Sequence, residues 1–155
     1  MNSAWMSYRR LSKNARHDLL LGFVLVPLAV VFVRLFGVGR WRRVEEERER
    51  ADGELEGPNT TQINEARAEA RMIEAASRHG IARGNCLSRS VALWWLLRRK
   101  GINAELRIGA RRAGEGLEAH AWVELGGTIL NDEDDVRESF AIFEGPLASR
   151  VAARK

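Results

Sequence analysis

Cysteine is almost missing from this 155-residue chain, with Cys86 standing alone. A single thiol excludes an internal disulfide framework and suits a reducing compartment. Histidine is also scarce, being confined to His17, His79 and His120, and no His or Cys spacing supports zinc. Of the 25 basic residues, all but Lys13, Lys100 and Lys155 are arginine, which reads as composition bias more than as function. The basic residues have no aromatic stacking platform or groove-reading motif among them, which argues against nucleic acid as a partner. The apolar run from Leu19 to Val33 is short for a membrane span: 15 residues against about 20, although Leu35, Phe36 and Val38 extend it past Arg34. It also lacks the small-residue cleavage site that would end a secretory signal.

The length is enough for one modest domain with a real core, plus an appendage. The net charge of +4 is unevenly spread. Residues 1–43 carry eight Arg or Lys against one acid, a net of +7, while the remainder carries 17 against 20, a net of −3. Pro27 interrupts the apolar run and is expected to kink a helix there or split it in two. Three roles stay open for this basic apolar segment: packing on the core, anchoring at a membrane through residues 19–38, or docking partner proteins. Val44 to Pro58 is charge-rich with two glycines and a proline, and reads as a helix end running into a linker. The expected organisation is therefore a helical N-terminal segment over 1–43, a charged linker over 44–59 and a folded domain over 60–155.

Within that domain, Thr60 or Thr61 is expected to cap a helix running to His79, with Ile63, Ala66, Ala70, Ile73 and Ala76 on one stripe and Gly80 as its stop. A second helix opens at Asn85-Cys86-Leu87-Ser88-Arg89-Ser90. Its apolar residues Leu87, Val91, Trp94 and Leu97 fall at helical spacing, and Arg98-Arg99-Lys100-Gly101 ends it. Asn85 offers the N-cap, so Cys86 sits in the first turn, where unpaired N–H groups and the helix dipole favour an anion. A thiol there is biased toward the thiolate that attacks carbonyls. A lone cysteine equally fits a small buried hydrophobe.

Ile102 to Arg111 alternates as a strand, with Ile102, Ala104, Leu106, Ile108 and Ala110 inward. Arg111 to Leu117 reads as a loop that either bounds a groove or merely connects. Glu118 to Leu125 then alternates, meets Gly126-Gly127, and returns as Thr128 to Asp132. That is a β-hairpin, and its register decides whether His120, 34 residues after Cys86, meets Asp132. A two-residue loop pairs Leu125 with Thr128 and turns Asp132 to the other face. A three-residue loop, Leu125 to Gly127, with a glycine at a bulge, sets His120 opposite Asp132, and that loop or an equivalent bulge is the expected form. The carboxylate then fixes the imidazole tautomer, and the other nitrogen acts as base for Cys86, an acyl-transfer triad by role. His79, at a helix end, is a second candidate base but suits the carbonyl dipoles better, and His17 is weaker still. Trp122 shares the face of His120 and is read as core. Glu133, Asp134 and Asp135 are read as a solvated acidic run, before Phe140, Ile142 and Phe143 pack back and Gly145-Pro146 releases a tail.

Taken together, Cys86-Leu-x-Arg-Ser, the run Leu96 to Gly109, Ala119-His120-Ala121-Trp122-Val123-Glu124 and Leu130-Asn131-Asp132 resemble the lasso-peptide leader peptidases. These are bacterial proteins with a transglutaminase-like, papain-like cysteine protease core, and the resemblance covers roughly residues 60–145. It implies an α+β fold, with N-terminal helices before a small antiparallel sheet. It also implies Cys86 as nucleophile, His120 as general base, Asp132 as its orienting partner and no cofactor or metal. Asn85 joins these as a candidate side-chain donor to the oxyanion beside backbone N–H groups. The implied reaction is removal of the leader from a ribosomally made precursor, so that an asparagine-synthetase-like cyclase can close the ring. The segment before residue 60 is too short and apolar for a winged-helix peptide-binding module, so a separate leader-recognition protein is expected, in the cytoplasm. Other acyl transfers on the same triad, and a non-catalytic scaffold docking precursor and cyclase, are the alternatives.

Overall fold

Helices precede a small antiparallel sheet, so the chain is α+β. The computed structural model describes residues 13–52, 57–80 and 84–142. Expectations for the first twelve residues, for residues 53–56 of the linker, and for Phe143 and the Gly145-Pro146 release fall outside them.

The first helix, α1 (Lys13–Asp52), is continuous, with Pro27 inside it. Proline removes one helical hydrogen bond, but the split into two helices, one of the two expected outcomes, does not occur. Tertiary packing overrides it: Val26 and Ala29, on either side of Pro27, are 1% and 0% exposed in the main core and fasten both halves of the helix. The charged stretch from Val44 prolongs the same helix to Asp52. By length and composition Ala15–Leu35 is able to cross a membrane, yet one face of it packs on the helices that follow.

Helix α2 (Thr60–His79) is capped one residue before the expected Thr60. Asn59 is the N-cap, its Oδ1 accepting the Gln62 N–H at 2.9 Å while its own N–H donates to Gln62 Oε1 at 3.0 Å. That reciprocal capping box satisfies two orphan donors at once, which neither threonine does here. Ala66, Ala70, Ile73 and Ala76 form the buried stripe that the spacing predicts, with Ile63 partly buried beside it. Helix α3 (Cys86–Arg99) is capped by Asn85 as expected and lies at the centre, touching α1, α2 and the sheet. Val91, Ala92, Leu93, Leu96 and Leu97 are at most 1% exposed.

Strands β1 (Glu105–Ala113) and β2 (Gly116–Leu125) pair over their whole length, from Glu105 with Glu124 to Ala113 with Gly116. Arg111, Arg112 and Leu117, expected in a loop, are therefore strand residues, because Gly114, at φ +57°, closes the turn in two residues. Strand β3 (Thr128–Ile129) adds to β2, while the short helix α4 (Val136–Ser139) leads into β4 (Ala141–Ile142) beside β1, giving the order β3-β2-β1-β4. Alternation along β2 divides two cores: Val123 and Leu125 face the helices, and Trp122 joins Ile129, Val136 and Phe140 on the other face. Trp122, fully buried there, is a core residue as expected.

Charge stitches α1 to the far end of α3. Lys100, just past α3, donates to Asp18 of α1 at 2.9 Å and to Glu69 of α2. Both carboxylates are about 5% exposed.

Candidate active site

The turn between β2 and β3 takes two residues, not the three expected. Leu125 pairs with Thr128 and Glu124 with Ile129, and Gly126 and Gly127 have φ +55° and +81°, the mirror-image turn that suits strand twist. In a regular ladder that register would carry Asp132 away from His120. Even so the two side chains meet, with His120 Nε2 and Asp132 Oδ2 2.5 Å apart.

The strand reaches this contact by leaving the ladder. Leu130 still donates its N–H to the Val123 carbonyl at 3.0 Å, but the next ladder acceptor is replaced by a side chain: Asn131 Oδ1 takes the Val123 N–H at 2.8 Å. The backbone is thereby free to bend at Asn131 and Asp132 and swing the carboxylate over to the imidazole. Asn131 also donates from Nδ2 to Ser90 Oγ at 2.9 Å, and Ser90 Oγ donates to the Ala121 carbonyl at 2.9 Å. One amide thus ties together the strand carrying His120, the loop carrying Asp132 and the helix carrying Cys86.

That tie also locates the thiol. Ser90 lies one helical turn beyond Cys86 on the same side of α3, and it is bonded to the residue that follows His120. Cys86 opens that helix one turn before the tie. It is a free, half-buried thiol that makes no hydrogen bond among the described residues. Asn85 Oδ1 accepts the Ser88 N–H at 2.9 Å and the Ser88 hydroxyl at 2.7 Å, so its oxygen end is committed to capping and only Nδ2 remains to act as a donor. The N–H groups of Cys86 and Leu87, in the first turn, have no intrahelical acceptor.

The imidazole is held from several sides. Phe140 stacks on it with ring centroids 5.0 Å apart, Trp122 lies 6.3 Å away, and the side chain remains 22% exposed. Gly109 pairs with His120 across the ladder, and a Cβ there would approach Phe140 Cβ to 2.9 Å and Trp122 to 3.0 Å. Asp132 Oδ1 accepts the Glu133 N–H at 2.9 Å, which orients Oδ2 toward the ring. Because the carboxylate holds Nε2, Nδ1 is the nitrogen left to exchange a proton.

Further along this face Glu124 is 1% exposed and receives Trp122 Nε1 and Arg137 Nε, each at 2.6 Å, with Arg107 Nε at 3.4 Å. Burial pushes its carboxyl up, but the hydrogen bonds from Arg137 and Trp122 and the charges of Arg137 and Arg107 outweigh that and hold it below the ordinary value. Beside Asp132 opens a cleft of about 480 Å³, bounded by Arg71, Glu74, Arg78 and His79 of α2. His79 is exposed there, close to the site but outside the His120–Asp132 contact. His17 is exposed on α1, and Glu133, Asp134 and Asp135 are exposed. Among the described residues no group of three His, Cys, Asp or Glu is placed to hold a metal ion.

Sequence reasoning missed Ser90, Asn131, Gly109 and the stacking of Phe140 on the imidazole. Ser90 and Asn131 sit inside the motifs around Cys86 and Asp132, but nothing local reveals that their side chains meet. A family model described as the transglutaminase-like superfamily matches residues 25–144. Over 62 residues the chain is 36% identical to the microcin J25-processing protein McjB of Escherichia coli, a stretch covering 40% of this chain and 29% of that protein. This chain thus spans under a third of that relative's length. No solved structure matches.

Proposed function

The chain belongs to the transglutaminase-like superfamily, and on that premise we propose that it is a cysteine peptidase removing the leader from a ribosomally made lasso-peptide precursor. The observation that carries this reading is the 2.5 Å contact between His120 and Asp132, tied through Asn131 and Ser90 to the helix that Cys86 opens. The similarity to a microcin-processing protein supports the substrate class.

In the mechanism, His120 Nδ1 takes the Cys86 proton, and the thiolate, favoured by the first turn of α3, attacks the scissile carbonyl. The oxyanion is met by the N–H groups of Cys86 and Leu87, with Asn85 Nδ2 as a side-chain donor. His120 then returns the proton to the leaving amine, and the thioester remains. Water, deprotonated by the same imidazole, hydrolyses it and frees the leader's new carboxylate. Asp132 holds the tautomer and stabilises the imidazolium. The cleft between α2 and Asp132 receives the extended peptide. A separate leader-recognition protein presents the precursor and an asparagine-synthetase-like cyclase takes the product, all in the cytoplasm. None of these steps draws on a cofactor or metal.

The test is the intact mass of a lasso precursor incubated with this protein and its leader-recognition partner, wild type against Cys86→Ala. Two fragments summing to precursor plus one water, seen with wild type alone, are expected. Amine adducts without chain scission would assign a transferase. Cleavage that survives Cys86→Ala would leave this chain a scaffold for another protease.

A further inference from the structure

Leu20, Val24, Leu28, Val31 and Leu35 are 53–70% exposed. They recur at steps of four, four, three and four, so they form one stripe along α1, roughly 22 Å long at 1.5 Å per residue. The opposite face carries Asp18, Val26 and Ala29, buried against the rest of the fold. Asp18 is the sole acid of residues 1–43, and it is turned inward to Lys100. In sequence the stripe is framed by Lys13 and Arg16 before it and by Arg34, Arg40, Arg42 and Arg43 after it, with Trp5, Tyr8 and Trp41 at its two ends.

We propose that the outward face of α1 docks this protein on an anionic lipid bilayer, lying in the interface plane with the catalytic domain on the aqueous side. Lying flat, the stripe sinks among the aliphatic chains, and the cationic and aromatic residues that flank it in sequence meet the anionic headgroups. A second copy fits poorly, because it would set one +7 segment against another. A transbilayer arrangement fits poorly too, since the inner face of α1 holds the Asp18–Lys100–Glu69 cluster and two packed helices, which would enter the hydrocarbon with it.

Co-sedimentation of the full-length protein with vesicles tests this, using phosphatidylcholine alone or with about one third phosphatidylglycerol. Binding to the anionic vesicles is expected to exceed binding to the zwitterionic ones by about tenfold or more and to weaken as salt rises. The Val24→Asp/Leu28→Asp protein is expected to lose about tenfold or more of that binding while keeping its circular dichroism and melting temperature, since both positions are exposed. Should that pair disturb folding, Leu35→Gln alone is expected to weaken binding in the same direction. Wild-type protein left in the supernatant would overturn the proposal, as would equal binding to both vesicle types. Binding indifferent to the stripe substitutions would overturn it as well, leaving only the basic terminus as the attachment. A lipid-free dimer dispersed by Val24→Asp, without vesicle binding, would assign the stripe to a second copy. Retention after an alkaline carbonate wash would mean a spanning helix and would sink the in-plane docking. Cys86→Ala is expected to bind like wild type, so the outcome is independent of the proposed peptidase reaction.

Discussion

Two buried charge clusters in this fold differ in stoichiometry. On the His120 face a single carboxylate, Glu124, is shared by Trp122, Arg137 and Arg107. Beyond the C-terminal end of α3 two carboxylates, Asp18 and Glu69, share one cation, Lys100. Donor excess holds Glu124 below its ordinary pKa. At Glu69 the balance reverses: burial and the neighbouring Asp18 outweigh Lys100, so its carboxyl is raised, and its Oε2 has no partner among the described residues. Lys100 is itself raised, because its bonds to the two carboxylates outweigh the burial that opposes them. A donor-rich cluster on the His120 face fixes geometry, and an acceptor-rich cluster beyond the C-terminal end of α3 fastens the N-terminal helix.

The largest effect expected from breaking this contrast is Lys100→Met, which strands two buried carboxylates. A loss of about 3 kcal/mol in unfolding free energy is expected, the low end for a broken buried pair because Lys100 is one-third exposed. Urea denaturation reads it, and the loss should shrink as pH falls and the carboxyls take up protons. Glu124→Gln comes next, at about 2 kcal/mol, since it keeps shape but forfeits charge-assisted bonds. The distinguishing readout is precursor cleavage per folded molecule. It should fall for Glu124→Gln, because Trp122 packs beside His120, and hold for Lys100→Met. Equal activity in both would erase the distinction between a site cluster and an anchoring cluster.

Asn131→Ala sharpens the comparison with a neutral network that belongs to neither cluster. It orphans the Val123 N–H and removes the bond that Ser90 Oγ accepts, so about 1 to 2 kcal/mol of stability should go. Cleavage should drop further than that stability loss explains, because Asp132 loses the bend that delivers it.

The smallest effect is on slopes. Glu69, with a raised folded pKa, contributes stability that is full below the ordinary glutamate value of 4.5 and is lost as pH climbs through the raised value. Glu124, with a lowered folded pKa, contributes stability that is full above that value and is lost as pH falls through the lowered one. Glu69→Gln should therefore change neutral-pH stability by less than about 1 kcal/mol while flattening its decline above pH 4.5. Glu124→Gln should flatten the acid side instead. Melting temperatures recorded from well below pH 4.5 to above neutrality distinguish the two, and matching slopes would contradict the opposed directions.

Much of this was legible in the residues, and the misses have a common cause. The limits of α3 followed from Asn85 and Gly101 because capping is a short-range matter, and Cys86 was placed in its first turn on the same ground. The alternation of β2 separated Val123 from Trp122 for a similar reason. The loop expected at Arg111 to Leu117 failed because a two-residue turn at Gly114 leaves those residues free to pair. The hairpin turn was misjudged although its purpose, the meeting of His120 and Asp132, was read correctly. A bulge in the turn was the local way to repair the register, and the chain uses Asn131 in place of a backbone group instead. Pro27 misled for the opposite reason, since its local penalty is overridden by contacts to residues far along the chain.

By itself, then, the sequence determined the helix carrying the thiol, the strand carrying the imidazole and the basic apolar character of α1, because capping, periodicity and charge act over a few neighbouring residues. Only the tertiary structure decided that Asn131 would bend Asp132 onto His120, that Asp18 would turn inward to Lys100 and that Leu20 to Leu35 would keep an uncovered stripe. Each of those outcomes depends on a partner tens of residues away, and the free energy of such a contact is set by where folding brings that partner.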